Sequence, residues 1–270
     1  MKIIVSHDVD HLHPSDHVFR DLIFPKLWIR SLFNMLKGKI TISTFIQRLF
    51  LIFDSRYNRI SEVLKKDKEN RIPSVFFFGM ENGLGLSYKK EKVLKYIEYI
   101  KNQGYEVGVH GMNFEDAEKM QLEYRAFTQM SNLSKFGIRM HYVRFNNTTF
   151  KKLSNIGYLY DTTEFNKHKL EIKAPYKLGN IWEFPLYIMD VYIMSSEALE
   201  EGKKNTIKVI EQAERMGMQY CTILFHDYQY NEKCFPQGKA WYDWLVQYLR
   251  EHNYEYISYP NAILELEEMI

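Results

Sequence analysis

Short apolar runs alternate with amphipathic segments from about residue 72 onward, and this order limits the available folds more than any other feature. Ile72–Phe78 has the unbroken apolar character of a buried strand, whereas Lys89–Lys101 repeats its apolar residues at helical spacing. Strands that alternate with helices favour a parallel sheet, either open or closed into a barrel. The other predicted strands cover residues 105–110, 138–145, 158–161, 181–187, 219–225 and 254–259, and the other predicted helices cover 116–135, 148–155, 197–216, 239–251 and a segment starting near 260.

The chain begins with one more predicted strand. Lys2–Ser6 is short, apolar and rich in β-branched residues, and the acids Asp8 and Asp10 follow it. Because residues two apart in a strand point the same way, we expect both carboxylates on one face at the C-terminal end of the strand. Reactive groups of α/β folds collect at that edge. The alternative is an Asp-rich turn that caps the next segment.

The segment between residues 16 and 68 interrupts the alternation. It is apolar and basic, with Asp21 as the only acid from residue 17 to residue 52. We predict two helices, inserted after the first strand and packed on the main body. The alternative is that residues 17–53 form a basic, aromatic surface that contacts an anionic membrane or a lipid-linked substrate. Two apolar sets have helical spacing: Leu32, Phe33 and Leu36, and Phe45, Leu49 and Phe53.

Length and charge exclude several classes of protein. The 270 residues suffice for one large domain, and we expect a single domain over the whole chain. A net charge of +2 gives no reason to expect a nucleic-acid partner, and two cysteines cannot form a disulfide framework. Neither a signal peptide nor a transmembrane run is recognisable, so we expect a cytoplasmic protein, at the inner face of the membrane if residues 17–53 contact lipid.

Residues of metal-ligand and acid/base type recur where the later strands meet their loops. His110 ends one predicted strand, His141 and Arg144 lie in the next, and His226 and Asp227 follow the strand over 219–225. One histidine at a strand end is usually structural. Four strands that carry such residues indicate an active site at the C-terminal face of an α/β barrel.

In order and approximate spacing, these residues resemble the motifs of the polysaccharide deacetylases. Four segments are similar to the family's acid pair, glycine-histidine, arginine and leucine-histidine motifs: Ser6–Asp10, Gly108–His110, Arg144–Asn146 and Ile223–Asp227. The resemblance is to a divergent cytoplasmic bacterial branch associated with surface-polysaccharide biosynthesis. It implies a distorted (β/α) barrel with a helical insertion (about 17–68) after the first strand. It also implies metal-dependent removal of an N-acyl group, typically acetyl, from an amino sugar of a surface polysaccharide or its precursor.

One motif departs from the family pattern. The family's second motif supplies two metal-binding histidines four residues apart, but Phe114 stands four residues after His110. We expect His141 to replace the missing ligand, with Glu123 as the less favoured substitute. Asp10, His110 and His141 would then form the three-ligand open site that catalytic Zn²⁺ prefers.

The resemblance also implies roles for the remaining motif residues. Asp8 would be the general base, kept ionised by Arg144, and His226 the general acid that protonates the leaving amine. Asp227 would either orient His226 or cap a helix or turn. Two residues are expected to bind substrate: Tyr142, which also fits a place in the core, and Asn146.

Two other functions fit part of the sequence. His11 and His13 form a His-x-His pair that resembles the opening of barrel metallophosphoesterases and amidohydrolases. Alternatively, with Phe114 in place of a ligand, the chain is a metal-free carbohydrate-binding pseudoenzyme. Replacement of His13 and metal analysis of the purified protein would separate these interpretations from the deacetylase.

Overall fold

The structure is a computed structural model and describes residues 1–18, 20–194 and 198–269. In chain order, the strands are β1 (Lys2–Val9), β2 (Val75–Gly79), β3 (Glu106–Gly111), β4 (Ile138–Met140), β5 (Tyr160–Asp161), β6 (Tyr176–Leu178), β7 (Ile181–Glu183), β8 (Ile188–Met189), β9 (Tyr220–Leu224) and β10 (Glu255–Tyr256). The α-helices are α1 (Ile23–Leu36), α2 (Ile42–Phe50), α3 (Ile60–Glu69), α4 (Leu94–Asn102), α5 (Ala117–Ser131), α6 (Thr149–Ser154), α7 (Asp190–Ile193), α8 (Leu199–Arg215), α9 (Pro236–Glu251) and α10 (Tyr259–Glu268).

All these strands belong to one sheet in the order β6-β7-β5-β4-β3-β2-β1-β9-β8, with β10 paired to the start of β1. The pairs are parallel except β6 with β7. The sheet is curled into a half-barrel with helices on its outside. The prediction of a distorted (β/α) barrel is therefore confirmed.

Side chains of β1 alternate between two apolar clusters, as the two faces of a strand require. Ile3 and Val5 pack outward among the residues of the surrounding helices. Ile4 points to the concave side, where it joins Phe77 of β2 and Tyr259 of α10. Because Asp8 lies four residues after Ile4, the same alternation carries it to the concave side.

The segment after β1 is helical. It contains α1, α2 and α3, together with short 3-10 turns at Pro14–Asp16 and Leu51–Phe53. The first two helices lie where apolar spacing predicts them, whereas α3, which leads into β2, is a third helix that was not predicted. None of the helices over the described ranges is both long and apolar enough to cross a membrane.

Three sequence predictions differ from the structure. The strand over 138–145 stops at Met140, because a 3-10 turn begins at His141. The strand over 181–187 is divided into β7 and β8, and β6 was missed. The helix predicted over 197–216 begins at Leu199, because Ala198 has an extended backbone, and residue 197 lies outside the described residues.

Candidate metal centre and active site

Asp10, His110 and His141 bring one ligand atom each to the C-terminal edge of the sheet. Asp10 Oδ1 lies 3.3 Å from His110 Nε2 and 3.5 Å from His141 Nδ1. The two imidazole nitrogens lie 2.9 Å apart. Within the part of the chain that the structure describes, these three side chains form a group that could hold a metal ion. They include the residue proposed to replace the ligand lost at Phe114.

Backbone carbonyls fix the tautomers of both histidines. A carbonyl can only accept, so His110 donates its Nδ1–H to Arg139 O at 3.0 Å, and His141 donates its Nε2–H to Leu84 O at 3.2 Å. The lone pairs of His110 Nε2 and His141 Nδ1 therefore face each other when both rings are neutral. Such a contact is favourable only with a proton or a cation between the rings, and a carbonyl partner on the far nitrogen is typical of a metal-binding histidine.

The Asp10 carboxylate supplies the negative charge of this cluster. Its Oδ1 is buried and accepts no hydrogen bond from any described residue, a costly arrangement unless a cation is present. Burial by itself would raise the pKa of Asp10, but the contacts with His110 and His141 outweigh burial when these rings carry a proton, and they lower the pKa well below its usual value. An ionised carboxylate and two imidazoles match the donors that Zn²⁺ and similar ions prefer. These residues therefore fit a divalent metal.

Asp8 lies beside this cluster and is paired with Arg139 rather than with Arg144. Arg139 Nη1 donates to Asp8 Oδ1 at 2.8 Å, and Asp8 Oδ2 is 3.7 Å from His110 Nε2. Although burial raises the pKa of Asp8, the charges of His110 and Arg139 lower it further, so its carboxyl stays ionised. The expected arginine partner was therefore wrong.

Arg144 points elsewhere. It donates to the carbonyl oxygens of His141 and Met112 and stacks over the Phe114 ring, with 5.0 Å between the guanidinium carbon and the ring centroid. Arg144 and Phe114 line a separate cavity of about 510 Å³. From motif order, Arg144 was expected to pair with Asp8. In the structure, Arg139 of β4 makes this contact instead.

His226 faces the metal-ligand cluster from the end of β9. Its Nε2 lies 3.7 Å from Asp10 Oδ2, while its Nδ1–H donates to Asp190 Oδ1 at 2.7 Å. The other carboxylate oxygen of Asp190 accepts the backbone N–H of His226 at 2.8 Å. Burial lowers the pKa of His226, but Asp190 outweighs this effect and raises the pKa to about 10.

Asp227, the partner expected for His226, has a structural contact instead. Its Oδ2 accepts the backbone N–H of Arg59 at 2.7 Å, at the start of α3. Burial raises its pKa to about 8, so the group is largely protonated at neutral pH. Asp227 was expected either to orient His226 or to cap a helix or turn. The structure shows the second role, because Asp227 accepts a backbone N–H at the start of α3. Asp190 was missed because it lies in the irregular junction between β8 and α7, outside every motif used.

The two residues expected to bind substrate differ in position. Tyr142 is 53% exposed and lines the cavity that contains Asp10. Asn146 lies outside that lining and accepts the backbone N–H of Thr148 at 2.9 Å, as a turn residue before α6. A strained turn positions Tyr142, because Tyr142 and Val143 have φ of 59° and 43°, which non-glycine residues rarely adopt.

The remaining sequence candidates do not join the cluster. His11 stacks on Tyr57 and hydrogen-bonds through Nδ1 to His17, and burial lowers its pKa to about 3. His13 instead contacts the Ser55 carbonyl at 3.0 Å, so the two histidines of the pair do not converge. The buried carboxylate of Glu123, the less favoured substitute ligand, accepts backbone N–H groups of the loop after β3.

All the residues of the cluster open into one cavity of about 790 Å³. Asp8, Asp10, His110, His141 and His226 lie along one part of its wall. Other parts of the wall come from Tyr142 and Tyr228 of the body and from the insertion, which contributes Leu22, Lys26, Arg30 and Tyr57. The cavity can therefore hold a sugar-sized ligand against the cluster, since aromatic faces pack well on apolar ring surfaces.

Comparison with known proteins supports the fold. No profile of a protein family and no curated protein matches the sequence. Among solved structures, a proposed polysaccharide deacetylase from Mycobacterium smegmatis is similar, with a TM-score of 0.62 and 15% identity over 98% of this chain and 88% of that chain. A CE4 family pseudoenzyme from Bacillus anthracis is similar with a TM-score of 0.51 and 10% identity, over 96% of this chain and 64% of that one.

A mutant of that pseudoenzyme with restored enzymatic activity gives a TM-score of 0.53 at 10% identity, over 96% of this chain and 66% of the other. At these identities the likeness establishes the fold. The chain therefore has the fold of the polysaccharide deacetylases and of a CE4 pseudoenzyme.

Proposed function

We propose that this protein is a metal-dependent carbohydrate N-deacetylase. It would remove an N-acyl group, typically acetyl, from an amino sugar of a surface polysaccharide or its precursor. One observation carries the proposal: Asp10, His110 and His141 converge, with Asp8 and His226 beside them. A candidate base and a candidate acid thus border one candidate metal site on a deacetylase fold.

Asp10, His110 and His141 would hold the ion, for which Zn²⁺ is the best candidate. When bound, a divalent metal supplies a Lewis acid that polarises the amide carbonyl and lowers the pKa of a water molecule. The carbonyls of Arg139 and Leu84 keep the two histidines in the tautomers that present a lone pair to the site.

Asp8 is suited to remove a proton from the attacking water. Its Oδ1 is occupied by Arg139, whereas Oδ2 faces His110 and the cavity. A base must be ionised before the reaction, and the lowered pKa of Asp8 ensures this at neutral pH. Arg139 acts as a positioning residue, because it reaches the reacting atoms through Asp8.

His226 is suited to protonate the leaving amine. Asp190 accepts its Nδ1–H, so the proton available for transfer lies on Nε2, toward Asp10 and the cavity. The raised pKa keeps the imidazole protonated at neutral pH, which is the state that a general acid requires. Asp190 is thus the positioning partner of His226, the role that the motif resemblance had suggested for Asp227.

The protein would act in the cytoplasm. Both cysteines, Cys221 and Cys234, are free and buried, which suits a reducing compartment. This location agrees with a role in building a surface polysaccharide from its precursors.

An assay of acetate release from N-acetylglucosamine oligomers tests the proposal. Untagged protein loaded with Zn²⁺ should release acetate, and Asp8→Asn should abolish release while the bound metal remains. Protein that binds no metal but retains sugar oligomers would instead favour the metal-free carbohydrate-binding alternative. Protein that binds metal but shows no activity on any N-acylated sugar tested would also contradict the proposed reaction.

A further inference from the structure

The helical insertion exposes an apolar surface that the proposed reaction does not use. Six large side chains of this surface are between 56% and 80% exposed: Ile29, Phe33 and Leu36 on α1, Ile42 and Phe50 on α2, and Phe53 just after it. Large apolar groups concentrated in this way mark a contact with a partner or a membrane.

The exposed side chains lie on helices whose opposite sides are firmly packed. Trp28 Nε1 donates to Arg48 O at 3.1 Å and joins α1 to α2. Arg48 Nε donates to Cys234 O at 2.7 Å, and Phe24 belongs to one apolar cluster with Cys234 and Phe235, just before α9. The insertion is therefore anchored to the barrel through one side, while its apolar residues stay on the outside.

Positive charge surrounds these apolar residues. Lys26, Arg30, Lys37 and Lys39 are exposed, and none forms an ion pair with a residue that the structure describes. The sequence has no acid from residue 22 to residue 53. Residues 22–53 therefore carry a net charge of +5 from five Lys and Arg residues, whereas the whole chain carries only +2, so the rest of the chain has a net charge of −3.

We propose that the α1–α2 hairpin docks on the surface of an anionic phospholipid bilayer. Exposed aromatic and aliphatic side chains would enter the interface, and the exposed cations would contact lipid phosphates. With 14 and 9 residues, α1 and α2 suit helices that lie on a membrane. A second copy of this chain is the weaker candidate, because a two-fold contact would bring the same cations together.

The docking face adjoins the candidate active site. Leu22, Lys26 and Arg30 of the insertion line the cavity that contains Asp10. A bilayer bound to α1 would therefore lie beside one wall of this cavity. The docking itself does not depend on the proposed reaction.

Co-sedimentation with lipid vesicles tests the proposal. Wild-type protein should sediment with vesicles of equimolar phosphatidylcholine and phosphatidylglycerol, but not with phosphatidylcholine alone, and added salt should weaken binding. The double variant Phe33→Glu/Phe50→Glu should lose at least about tenfold in affinity. Lys37→Glu/Lys39→Glu should weaken binding about fivefold or more per cation. Leu122→Glu, at a side chain 61% exposed on α5, is the matched control and should bind as wild type.

Several outcomes would overturn the docking. The docking is contradicted if the wild-type protein does not bind anionic vesicles, or if Phe33→Glu/Phe50→Glu binds them with unchanged affinity. It is also contradicted if Leu122→Glu loses as much vesicle affinity as Phe33→Glu/Phe50→Glu. Circular dichroism would verify that each variant is folded. Light scattering that shows a dimer broken by Phe33→Glu, without vesicle binding, would assign the surface to a second copy. Asp10→Asn should bind vesicles normally, so failure of docking and failure of the proposed reaction are distinguishable.

Discussion

Arg139 Nη1 donates a hydrogen bond of 2.8 Å to Asp8 Oδ1, and neither side chain is more than 2% exposed. The rest of the guanidinium is also bound, with Nε donating to Thr162 O and Nη2 to Ser6 Oγ. Its carbon lies 4.8 Å from the centroid of the Phe77 ring. The charge of the candidate base is therefore balanced by an arginine that cannot move independently of the core.

We expect Arg139→Met to lower the free energy of unfolding by about 3–5 kcal/mol, because it leaves the Asp8 carboxylate buried without a counter-charge. Adding Asp8→Asn to this variant should recover part of the loss, since the uncompensated charge is then gone. Urea unfolding of both single variants and the double variant measures the coupling. Additive losses would show that the pair does not act as a unit.

Arg144→Met provides the matched comparison. Arg144 donates to two carbonyls and makes no contact with Asp8, so we expect a smaller loss, on the order of 1 kcal/mol. If Arg144→Met lowered the free energy of unfolding more than Arg139→Met does, Arg144 rather than Arg139 would be the arginine that the fold depends on, and the assignment of Arg139 would be contradicted.

Asp190→Asn should remove the charge that raises the pKa of His226. In metal-free protein, we expect the imidazole of His226 to titrate near 10 in the wild type and well below this in Asp190→Asn. Because the folded pKa lies above 6.5, protonation of His226 stabilises the fold fully below pH 6.5, and this contribution is lost as the pH rises to about 10. NMR titration of the ring resonances measures the shift.

In the metal-loaded protein, Asp190→Asn should reduce the kcat of the proposed reaction by about a hundredfold or more, because the proposed general acid, His226, loses its proton at working pH. Asp227→Asn should leave both the titration and kcat near wild type, since an amide oxygen can still accept the Arg59 N–H. Equal effects of the two variants would contradict the assignment of Asp190 as the partner of His226.

A buried pair of acids, Asp161 on β5 and Glu183 on the neighbouring β7, is expected to affect stability. Burial raises the pKa of Asp161 to about 6 and that of Glu183 well above its usual value. Two carboxyls with raised folded pKa values make the protein less stable as the pH rises above about 4.5. We therefore expect Glu183→Gln to raise the Tm at pH 8 by about 2–4 °C. This gain should vanish near pH 4, and a loss of Tm at pH 8 would contradict it.

The sequence alone was enough to predict the strand–helix alternation, because buried strands and amphipathic helices leave clear apolar patterns. It also led to Asp8 and Asp10 as a pair on one face, from their spacing of two residues. The same rule relates Arg139 to His141, and an arginine within the apolar run of β4 was a usable signal. Motif order instead directed attention to Arg144.

Other features of the site depend on tertiary structure. Asp190 has no local pattern, and it reaches His226 only because β8 pairs with β9. The end of β4 at Met140 depends on the turn at Tyr142 and Val143, whose positive φ values no propensity predicts. The spacing of Phe33 and Leu36 on α1 likewise did not predict that both side chains are exposed. Periodicity shows which residues share a helix face, but it does not show whether another part of the protein covers that face.

The most direct test is whether Asp10, His110 and His141 together hold one divalent metal ion. Chelator-stripped, untagged protein should take up one equivalent of Zn²⁺ in calorimetric titration, and His141→Ala and Asp10→Ala should each lose at least about tenfold in affinity. His13→Ala, a histidine outside the cluster, should bind like the wild type. Uptake by His141→Ala equal to that of the wild type, or no uptake by the wild type, would contradict the claim.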